Sequence, residues 1–377
     1  VGQVPSDPSQ YQMSFINLTD TLQKGFMTNQ QFLVVTQQNY LGKLFSEFTG
    51  DVPDAGTAEA YFNNKMSLED WPFNVNVGTA NTFADYNNVL IFKFCKGTLK
   101  DWAQDPKTWT QPTTFNTEGV TDPAEAYQQT VAISSWIQNY IAEAEAAYAY
   151  GIEYPESNQV VLYQKFIDTI NNPNWNGILA LKVDIDLQEF PQQLKGLISG
   201  INLDNFYGHH VGIEVNKVSA DGEIEMEKNS SIFSLINYLD PAYTQQITQG
   251  LNADAPIMPT PGVDYEFKVL QLQILFENTA IKFFQSKVQL TMNTLFSDIV
   301  TGTNNPYATE GNNSVVLNGT YQDHDGTPVY IFENTHDNLY YFDSNLLKNV
   351  EITKIQFNTL TTDPDAITID SRFTMWG

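Results

Sequence analysis

Residues 122–151 have the pattern of one long helix, in a chain whose other segments are mostly typical of strands. Asp122 is a favourable N-cap, Pro123 occupies the first helical position, and Glu125 completes a capping-box-like arrangement. Gly151 predicts a left-handed stop. Apolar residues recur every three or four positions along one face: Ile133, Trp136, Ile137, Tyr140, Ile141, Ala144 and Tyr148. The segment therefore predicts an amphipathic helix on the order of 40 Å long.

The predicted helix lacks the i,i+4 ion pairs that steady an exposed helix, because no basic residue occurs between Lys107 and Lys165. Glu143 and Glu145 also lie near its C-terminal end, where the helix dipole disfavours acidic groups. We therefore expect its stability to come from packing the apolar face on a sheet.

The part of the chain before the helix has a strand-rich pattern. Apolar runs at 32–35, 41–48 and 89–94 and an alternation at 71–77 predict strands. Residues 96–121 contain two tryptophans, two prolines and a Thr-rich stretch, which predicts a long irregular connection.

The part after the helix begins with a second helical pattern at 155–170 and a turn at 171–177. Residues 179–187 then alternate between apolar and polar, as in a strand with one wet face. Further alternations lie at 270–276, 288–292, 329–331, 352–357 and 367–369.

The sequence thus predicts a mainly β chain with two β-rich, antiparallel domains of sandwich or jelly-roll type and one long amphipathic helix between them. The predicted parts are an N-terminal β-rich domain at 1–121, a helical connector packed on a sheet at 122–174, and a C-terminal antiparallel β domain at 175–377.

Charge excludes one large class of partner. The net charge is -26, with 18 Lys and Arg against 44 Asp and Glu, and Arg372 is the only arginine. Nucleic-acid and anionic-membrane sites need clusters of basic residues, and the chain has none. No apolar run approaches the length of a membrane span. A protein or a glycan remains as the expected partner.

Cys95 is the only cysteine, so the chain can form no internal disulfide. It follows the apolar run at 89–94, which predicts a buried, inert thiol rather than a nucleophile. The first residues lack a Met and a signal-peptide pattern, and the chain ends abruptly at Gly377. These termini favour a processed chain or a piece of a longer protein.

The chain contains no G-x-S-x-G, no H-E-x-x-H, no Gly-rich phosphate loop and no paired Cys knuckle. Two carboxylates on a β scaffold are enough for glycan hydrolysis, and Asp184 and Asp186 share one face of a predicted strand. Alternating polar residues on a solvated face explain the same pair. The sequence therefore assigns no catalytic residue and leans against an enzyme.

An acidic hairpin is the clearest candidate metal site. Asp221-Gly222 favours a two-residue type I′ turn, which places four carboxylates on one face: Glu214, Glu223, Glu225 and Glu227. These like charges are either screened by water and salt or held by a hard cation such as Ca²⁺. No other cofactor is expected.

Two further groups contain possible ligands. His209 and His210 are adjacent, so we expect their side chains on opposite strand faces, which disfavours a shared metal; one site formed by His210 and Glu214 is the alternative. Residues 323–326, Asp-His-Asp-Gly, depart from the EF-hand pattern, and a hairpin turn is the preferred interpretation.

The leading functional hypothesis is a non-catalytic structural or adhesive β-rich module of a larger secreted or surface-assembled protein, which implies an extracellular or cell-surface location. The first alternative is a carbohydrate-binding or carbohydrate-active domain that uses carboxylates and aromatic residues such as Tyr340 and Tyr341. The second alternative is a toxin subunit whose helix rearranges at a membrane. That helix lacks the basic face of a surface binder.

Overall fold

The computed structural model of the protein describes residues 13–14, 32–35, 66–67, 74–76, 89–109, 122–186, 194, 197–198, 200–214, 232–277, 280–295, 298–299, 301–303, 313–324, 327–333, 341–345, 350–351, 354–359 and 371–376. These residues are mainly β, as the sequence predicts.

The first strands are β1 (Met13–Ser14), β2 (Phe32–Val35), β3 (Met66–Ser67), β4 (Asn74–Asn76), β5 (Val89–Lys93), β6 (Gly177–Asp186), β7 (Gly208–Glu214), β8 (Ile232–Leu239), β9 (Tyr265–Glu277) and β10 (Ala280–Met292). The later strands are β11 (Thr294–Leu295), β12 (Asp298–Ile299), β13 (Thr301–Thr303), β14 (Ser314–His324), β15 (Thr327–Glu333), β16 (Tyr341–Asp343), β17 (Val350–Glu351), β18 (Lys354–Thr359) and β19 (Ser371–Trp376). The described α-helices are α1 (Leu99–Gln104), α2 (Pro123–Glu153), α3 (Gln159–Asn171) and α4 (Pro241–Thr248).

The chain divides into two compact units, each assembled from separate segments. The first unit comprises Val1–Asp186, Gly208–Leu235 and Leu275–Ala280. The second unit comprises Leu187–Tyr207, Ile236–Ile274 and Ile281–Gly377. The first unit contains α1–α3 and β1–β7, whereas the second contains α4 and β11–β19. The division at residues 121 and 174 expected from the sequence stays a prediction.

Helix α2 confirms the long helix that the spacing of its apolar residues predicts. The Asp122 carboxylate accepts a hydrogen bond from the backbone N–H of Ala124 at 2.9 Å, so the predicted N-cap is formed. Four residues of the predicted apolar face are buried: Ile133, Ile137, Ile141 and Ala144. Packing of this face accounts for a helix without basic residues of its own.

Gly151 does not end the helix, so the predicted left-handed stop is wrong. The helix continues to Glu153, and Gly151 is absent from the glycines with positive φ. A Cβ at position 151 would lie 2.6 Å from the backbone nitrogen of Val160, in the first turn of α3. The glycine therefore allows the two helices to approach closely. The helix ends at Glu153, and Tyr154 is its C-cap, directly before Pro155.

Helices α2 and α3 form an antiparallel hairpin. A 3-10 turn, Pro155–Ser157, and the left-handed residue Asn158 connect them. Tyr148 Oη donates a hydrogen bond to Gln164 Oε1 at 2.6 Å, which joins the helices below the turn. The second helix predicted at 155–170 is thus present as Gln159–Asn171 after a tight turn.

The predicted irregular connection at 96–121 is wrong for its first part, because residues 99–104 form α1. The Thr98 hydroxyl accepts a hydrogen bond from the N–H of Asp101 at 3.0 Å, as an N-cap does. The Trp102 and Trp109 rings pack on Phe32 of β2, with centroid distances of 5.4 and 5.7 Å. This short helix is therefore held against the sheet by aromatic contacts.

The sheet of the first unit is centred on β6. Its first half pairs with β5, and its last three residues, 184–186, pair with β4, in both cases antiparallel. β2 pairs with β5 and β7 pairs with β6, also antiparallel. β2 and β5 are the apolar runs at 32–35 and 89–94, which the sequence predicts as strands. The run at 41–48 lies outside the described residues.

A buried lysine lies at the end of strand β5 in this sheet. Lys93, the last residue of β5, has no solvent exposure, and its Nζ donates to Cys95 O at 2.8 Å and to Trp175 O at 2.5 Å. Burial lowers the pKa of the Lys93 ammonium. Its two carbonyl partners tie the segment after β5 to the segment before β6.

The second unit contains the hairpin that the sequence predicts around residues 323–326. β14 and β15 pair antiparallel up to His324 and Thr327, and residues 325–326 lie outside the described part of the chain. The predicted antiparallel pairing of the two flanking strands is confirmed. The unit also contains a small core of Tyr243, Ile257, Leu270 and Val316. The Gln289 amide there accepts from the N–H of Ile257 and donates to its carbonyl, at 2.8 and 2.9 Å.

Gly177, at the start of β6, provides a test of strand packing in the first unit. A Cβ there would collide with the carbonyl oxygen of Ile213 on β7 and lie 2.9 Å from the Trp175 ring. We expect Gly177→Ala to lower the free energy of unfolding by about 2–3 kcal/mol, measured by urea denaturation, because a paired strand cannot retreat as a flexible side chain can.

Gly250→Ala is the matched control, because no atom lies within 4 Å of its added Cβ and only its φ of +72° opposes the change. We expect this control to cost about 1 kcal/mol. Equal losses for the two variants would contradict the steric argument.

Candidate functional site

Two adjacent histidines on β7 form the most unusual side-chain arrangement of the first unit. The Nδ1 atoms of His209 and His210 lie 2.9 Å apart, and their rings meet edge to face with centroids 5.1 Å apart. The sequence-based expectation that the two imidazoles are separated on opposite strand faces is therefore wrong. His210 is completely buried, whereas His209 keeps partial exposure.

Aromatic rings surround the pair, and this explains the orientation of the imidazoles. His209 contacts three rings, with centroid distances of 4.6, 5.1 and 5.3 Å: Tyr140 of α2, and Tyr163 and Phe166 of α3. His210 stacks on Phe166 at 4.6 Å and contacts Phe233 of β8 at 5.5 Å. Since Phe166 contacts both imidazoles, both are drawn towards the same aromatic layer. We call these two histidines and four aromatic residues the histidine cluster.

The backbone is also irregular beside the pair. Lys182 on β6 has φ +52°, which costs a residue with a side chain about 1–3 kcal/mol. In the register of the two strands, Leu181 lies opposite His210 and Val183 opposite Gly208, on either side of Lys182. The His209 carbonyl accepts a hydrogen bond from Tyr140 Oη at 2.7 Å. Helix α2 is thus bonded to the backbone of β7 near the left-handed residue of β6.

Burial keeps both imidazoles neutral near pH 7. It lowers the pKa of His209 to about 3 and the pKa of His210 well below its ordinary value, with the neighbouring His209 lowering it further. Two neutral imidazoles can share one proton between their Nδ1 atoms, one donating and the other accepting. His210 Nε2 is buried without a hydrogen-bond partner among the described residues. A general base needs a pKa near the working pH, and burial holds the pKa of both imidazoles below that range.

The candidate metal ligands are only partly described. Glu214 ends β7 opposite Gly177, and its carboxylate lies 3.2 Å from Lys165 Nζ of α3. Glu223, Glu225 and Glu227, with the Asp221-Gly222 turn, lie outside the described residues. Within the part that the structure describes, no three His, Cys, Asp or Glu side chains gather as metal ligands. The calcium site on the acidic hairpin stays a prediction, as does the alternative formed by His210 and Glu214.

The other candidate residues lie on the sheet of the first unit. Asp184 and Asp186 are on β6, where they pair with Asn76 and Asn74 of β4. Cys95 is buried as predicted, and burial raises the pKa of its thiol to about 11, so the thiolate is disfavoured. Of the two tyrosines considered for sugar stacking, Tyr341 belongs to β16 and Tyr340 lies outside the described residues.

Sequence reasoning missed the histidine cluster because its members lie on four elements. Tyr140, Tyr163 and Phe166 follow helical spacing and have the pattern of ordinary core residues. The one local signal is the Tyr-Gly-His-His sequence at 207–210. Nothing in that sequence specifies which helices will cover the imidazoles.

Comparison of the chain with protein-family models, with curated proteins and with solved structures finds no significant match. Each helix in the described part of the chain is too short or too polar to cross a membrane. The geometry of the described residues therefore carries the functional argument.

Proposed function

We propose that the chain is a non-catalytic structural or adhesive β-rich module of a larger secreted or surface-assembled protein. The observation that carries this proposal is the use of the histidine cluster for packing. His209 and His210 join α2 and α3 to β7, and burial holds both imidazoles neutral. Imidazoles that face solvent and keep an ordinary pKa are suited to acid–base chemistry, and these two do not meet that condition.

The other strongly perturbed groups of the first unit support the same conclusion. The Lys93 ammonium is bonded to two backbone carbonyls, and the Cys95 thiol is buried beside it. Perturbed pKa values accompany active sites when the groups line a cleft, and these groups instead lie in the core. The proposal also includes the sandwich or jelly-roll character of the two β-rich parts and the extracellular or cell-surface location.

A carbohydrate-binding role is the second candidate, because one pair of exposed aromatic residues favours it. The Tyr150 and Tyr154 rings lie 4.5 Å apart at the end of α2, and the exposed residues Glu153 and Glu156 are close in the chain. Tyrosine rings and carboxylates are suitable groups for contacting sugars. The two rings also cover part of each other, which reduces the flat surface available for stacking.

The test of the leading proposal is a screen for turnover. We expect the wild-type chain to give only background hydrolysis on a panel of glycans and esters. Asp184→Asn and Asp186→Asn change the two carboxylates that the sequence singles out, and they should leave that background unchanged. Reproducible turnover that either substitution abolishes would overturn the proposal in favour of a carbohydrate-active enzyme.

A further inference from the structure

The tip of the α2–α3 hairpin, residues 150–161, exposes several large apolar side chains. The exposed fractions are 53% for Tyr150, 63% for Ile152 and 49% for Val161, and Tyr154 is also exposed. Lower on the same hairpin, Ile141, Leu162 and Phe166 are buried. Several large apolar side chains exposed together at one end of a hairpin are typical of a surface that contacts another molecule.

The tip is held in one shape by contacts within the hairpin. Gly151 lets the first turn of α3 approach α2 closely, and the Tyr148–Gln164 hydrogen bond joins the helices below it. The Tyr150 and Tyr154 rings contact each other on one side of α2, while Ile152, two residues from each, lies on the other. A rigid surface loses little conformational entropy when it binds, so the tip is pre-organised for a partner.

The charged residues of the tip, 150–161, have one sign. Glu153 and Glu156 are exposed, and the sequence has no Lys, Arg or His from residue 108 to residue 164. Among the described residues, Lys100 of α1 lies 2.7 Å from Glu145, and Lys165 of α3 lies 3.2 Å from Glu214, so both ammonium groups already have acidic partners. Within the tip itself, the charged side chains beside the exposed apolar ones are therefore acidic.

We propose that the hairpin tip binds a basic, apolar segment of a partner protein. Such a segment buries its apolar side chains against Ile152 and Val161, which lie one helical turn nearer the tip than the Tyr148–Gln164 pair, and its Lys or Arg side chains face Glu153 and Glu156. A second copy of this chain is disfavoured because two molecules, each with a net charge of -26, would bring acidic tips together. An anionic lipid surface is disfavoured for the same reason. The inference deepens the adhesive role proposed above and rests on it.

The test uses the complete chain and a fluorescein-labelled 14-residue peptide of Leu and Lys at helical spacing. Fluorescence anisotropy at 150 mM NaCl measures its Kd, and a Ser/Lys peptide of equal charge measures attraction by charge alone. We expect the Leu/Lys peptide to bind at least tenfold more tightly than the Ser/Lys peptide. Because buried apolar anchors dominate binding energy, Ile152→Ser combined with Val161→Ser should weaken Leu/Lys binding about tenfold.

Matched controls separate the tip from the remaining acidic surface. Leu251→Ser removes an exposed apolar residue of the second unit, and we expect it to leave the Kd unchanged. The double substitution of Glu153 and Glu156 to Gln should weaken binding about threefold. Glu143→Gln, an exposed position on α2 about 15 Å along the helix from Glu153, should have little effect because salt screens at that distance. Circular dichroism confirms that the variants stay folded, and Ile152→Ser alone is the milder alternative.

Four outcomes would overturn the inference. The first is equal binding of the two peptides, and the second is equal loss of affinity in the tip variant and in Leu251→Ser. The third is self-association of the chain in analytical ultracentrifugation that Ile152→Ser abolishes, since it would assign the tip to a second copy. The fourth is binding of a glycan, lost in Tyr150→Ser, by a chain that does not bind the peptide. None of these outcomes produces turnover in the hydrolysis screen, so failure of the inference is distinguishable from failure of the proposed function.

Discussion

Lowering the pH from 6.5 to 4 is expected to destabilise the folded protein by roughly 3 kcal/mol through His209, with a further loss through the buried His210. Burial lowers the pKa of both imidazoles, to about 3 for His209, whereas an unfolded histidine titrates near 6.5. Below pH 6.5 the unfolded chain therefore binds more protons than the folded chain, and stability falls as the pH falls. The effect fades as the pH rises above 6.5, because the unfolded histidines then lose their protons as well. Urea denaturation at half-unit pH intervals measures it.

The groups that face the pair determine how the histidines respond. Tyr140 and Tyr163 contact the His209 ring, and Lys165 lies 5.5 Å from the centroid of the Phe233 ring that contacts His210. His210, which is completely buried, should carry the larger share of the effect.

Variants isolate the contribution of the pair, because the large negative net charge is also neutralised in acid, which relieves self-repulsion. His210→Phe keeps an aromatic ring against Phe166 and removes one titrating group. This substitution should reduce the slope of the free energy of unfolding against pH by about 1.4 kcal/mol per pH unit. If His210→Phe kept the wild-type slope, the acid destabilisation could not be assigned to the His209–His210 pair.

Phe166→Ala is expected to reduce the free energy of unfolding by about 3–5 kcal/mol. Phe166 has no solvent exposure, stacks on His210 at 4.6 Å and contacts the edge of His209 at 5.3 Å. Removing its ring leaves a cavity between α3 and β7 and takes away the surface on which both imidazoles lie. Chemical denaturation at pH 7.5, where both histidines are neutral, measures the loss.

The same substitution should change the pH dependence, which distinguishes its role in the cluster from simple packing. Water that enters the cavity hydrates His210 and raises its pKa towards the ordinary value, so the acid destabilisation becomes shallower. Phe92→Ala removes an equally buried ring from β5 and should be as costly without altering the pH slope. Equal slopes in the two variants would show that Phe166 does not control the protonation of the pair.

The sequence predicts the local features of the fold well. The N-cap at Asp122, the apolar face of α2 and the strands at 32–35 and 89–93 follow from spacing and capping, which depend on neighbours in the chain. Gly151 shows where this reasoning ends. A glycine is needed at this position because α3 approaches α2 there. In the sequence, such a glycine cannot be told apart from one that ends a helix.

The candidate site is harder to predict because it depends on contacts between elements. The side chains of adjacent strand residues ordinarily point to opposite faces of a sheet, so the sequence predicts that the imidazoles of His209 and His210 are separated. The left-handed Lys182 on β6 interrupts that regularity. A lysine gives no sign of this conformation in the sequence, since glycine is the residue that favours it. The partners of the histidines, on α2, α3 and β8, are likewise fixed only by tertiary packing.

The left-handed conformation of Lys182 places a strained residue within a central strand. The folded chain bears a cost of about 1–3 kcal/mol there, whereas the unfolded chain is free to leave that region of φ. This strain is therefore subtracted from the net free energy of unfolding, and the contacts of β6 with its neighbours have to offset it. Glycine adopts positive φ without that cost, so this one position of the strand is where the fold and the local preference of its residue conflict.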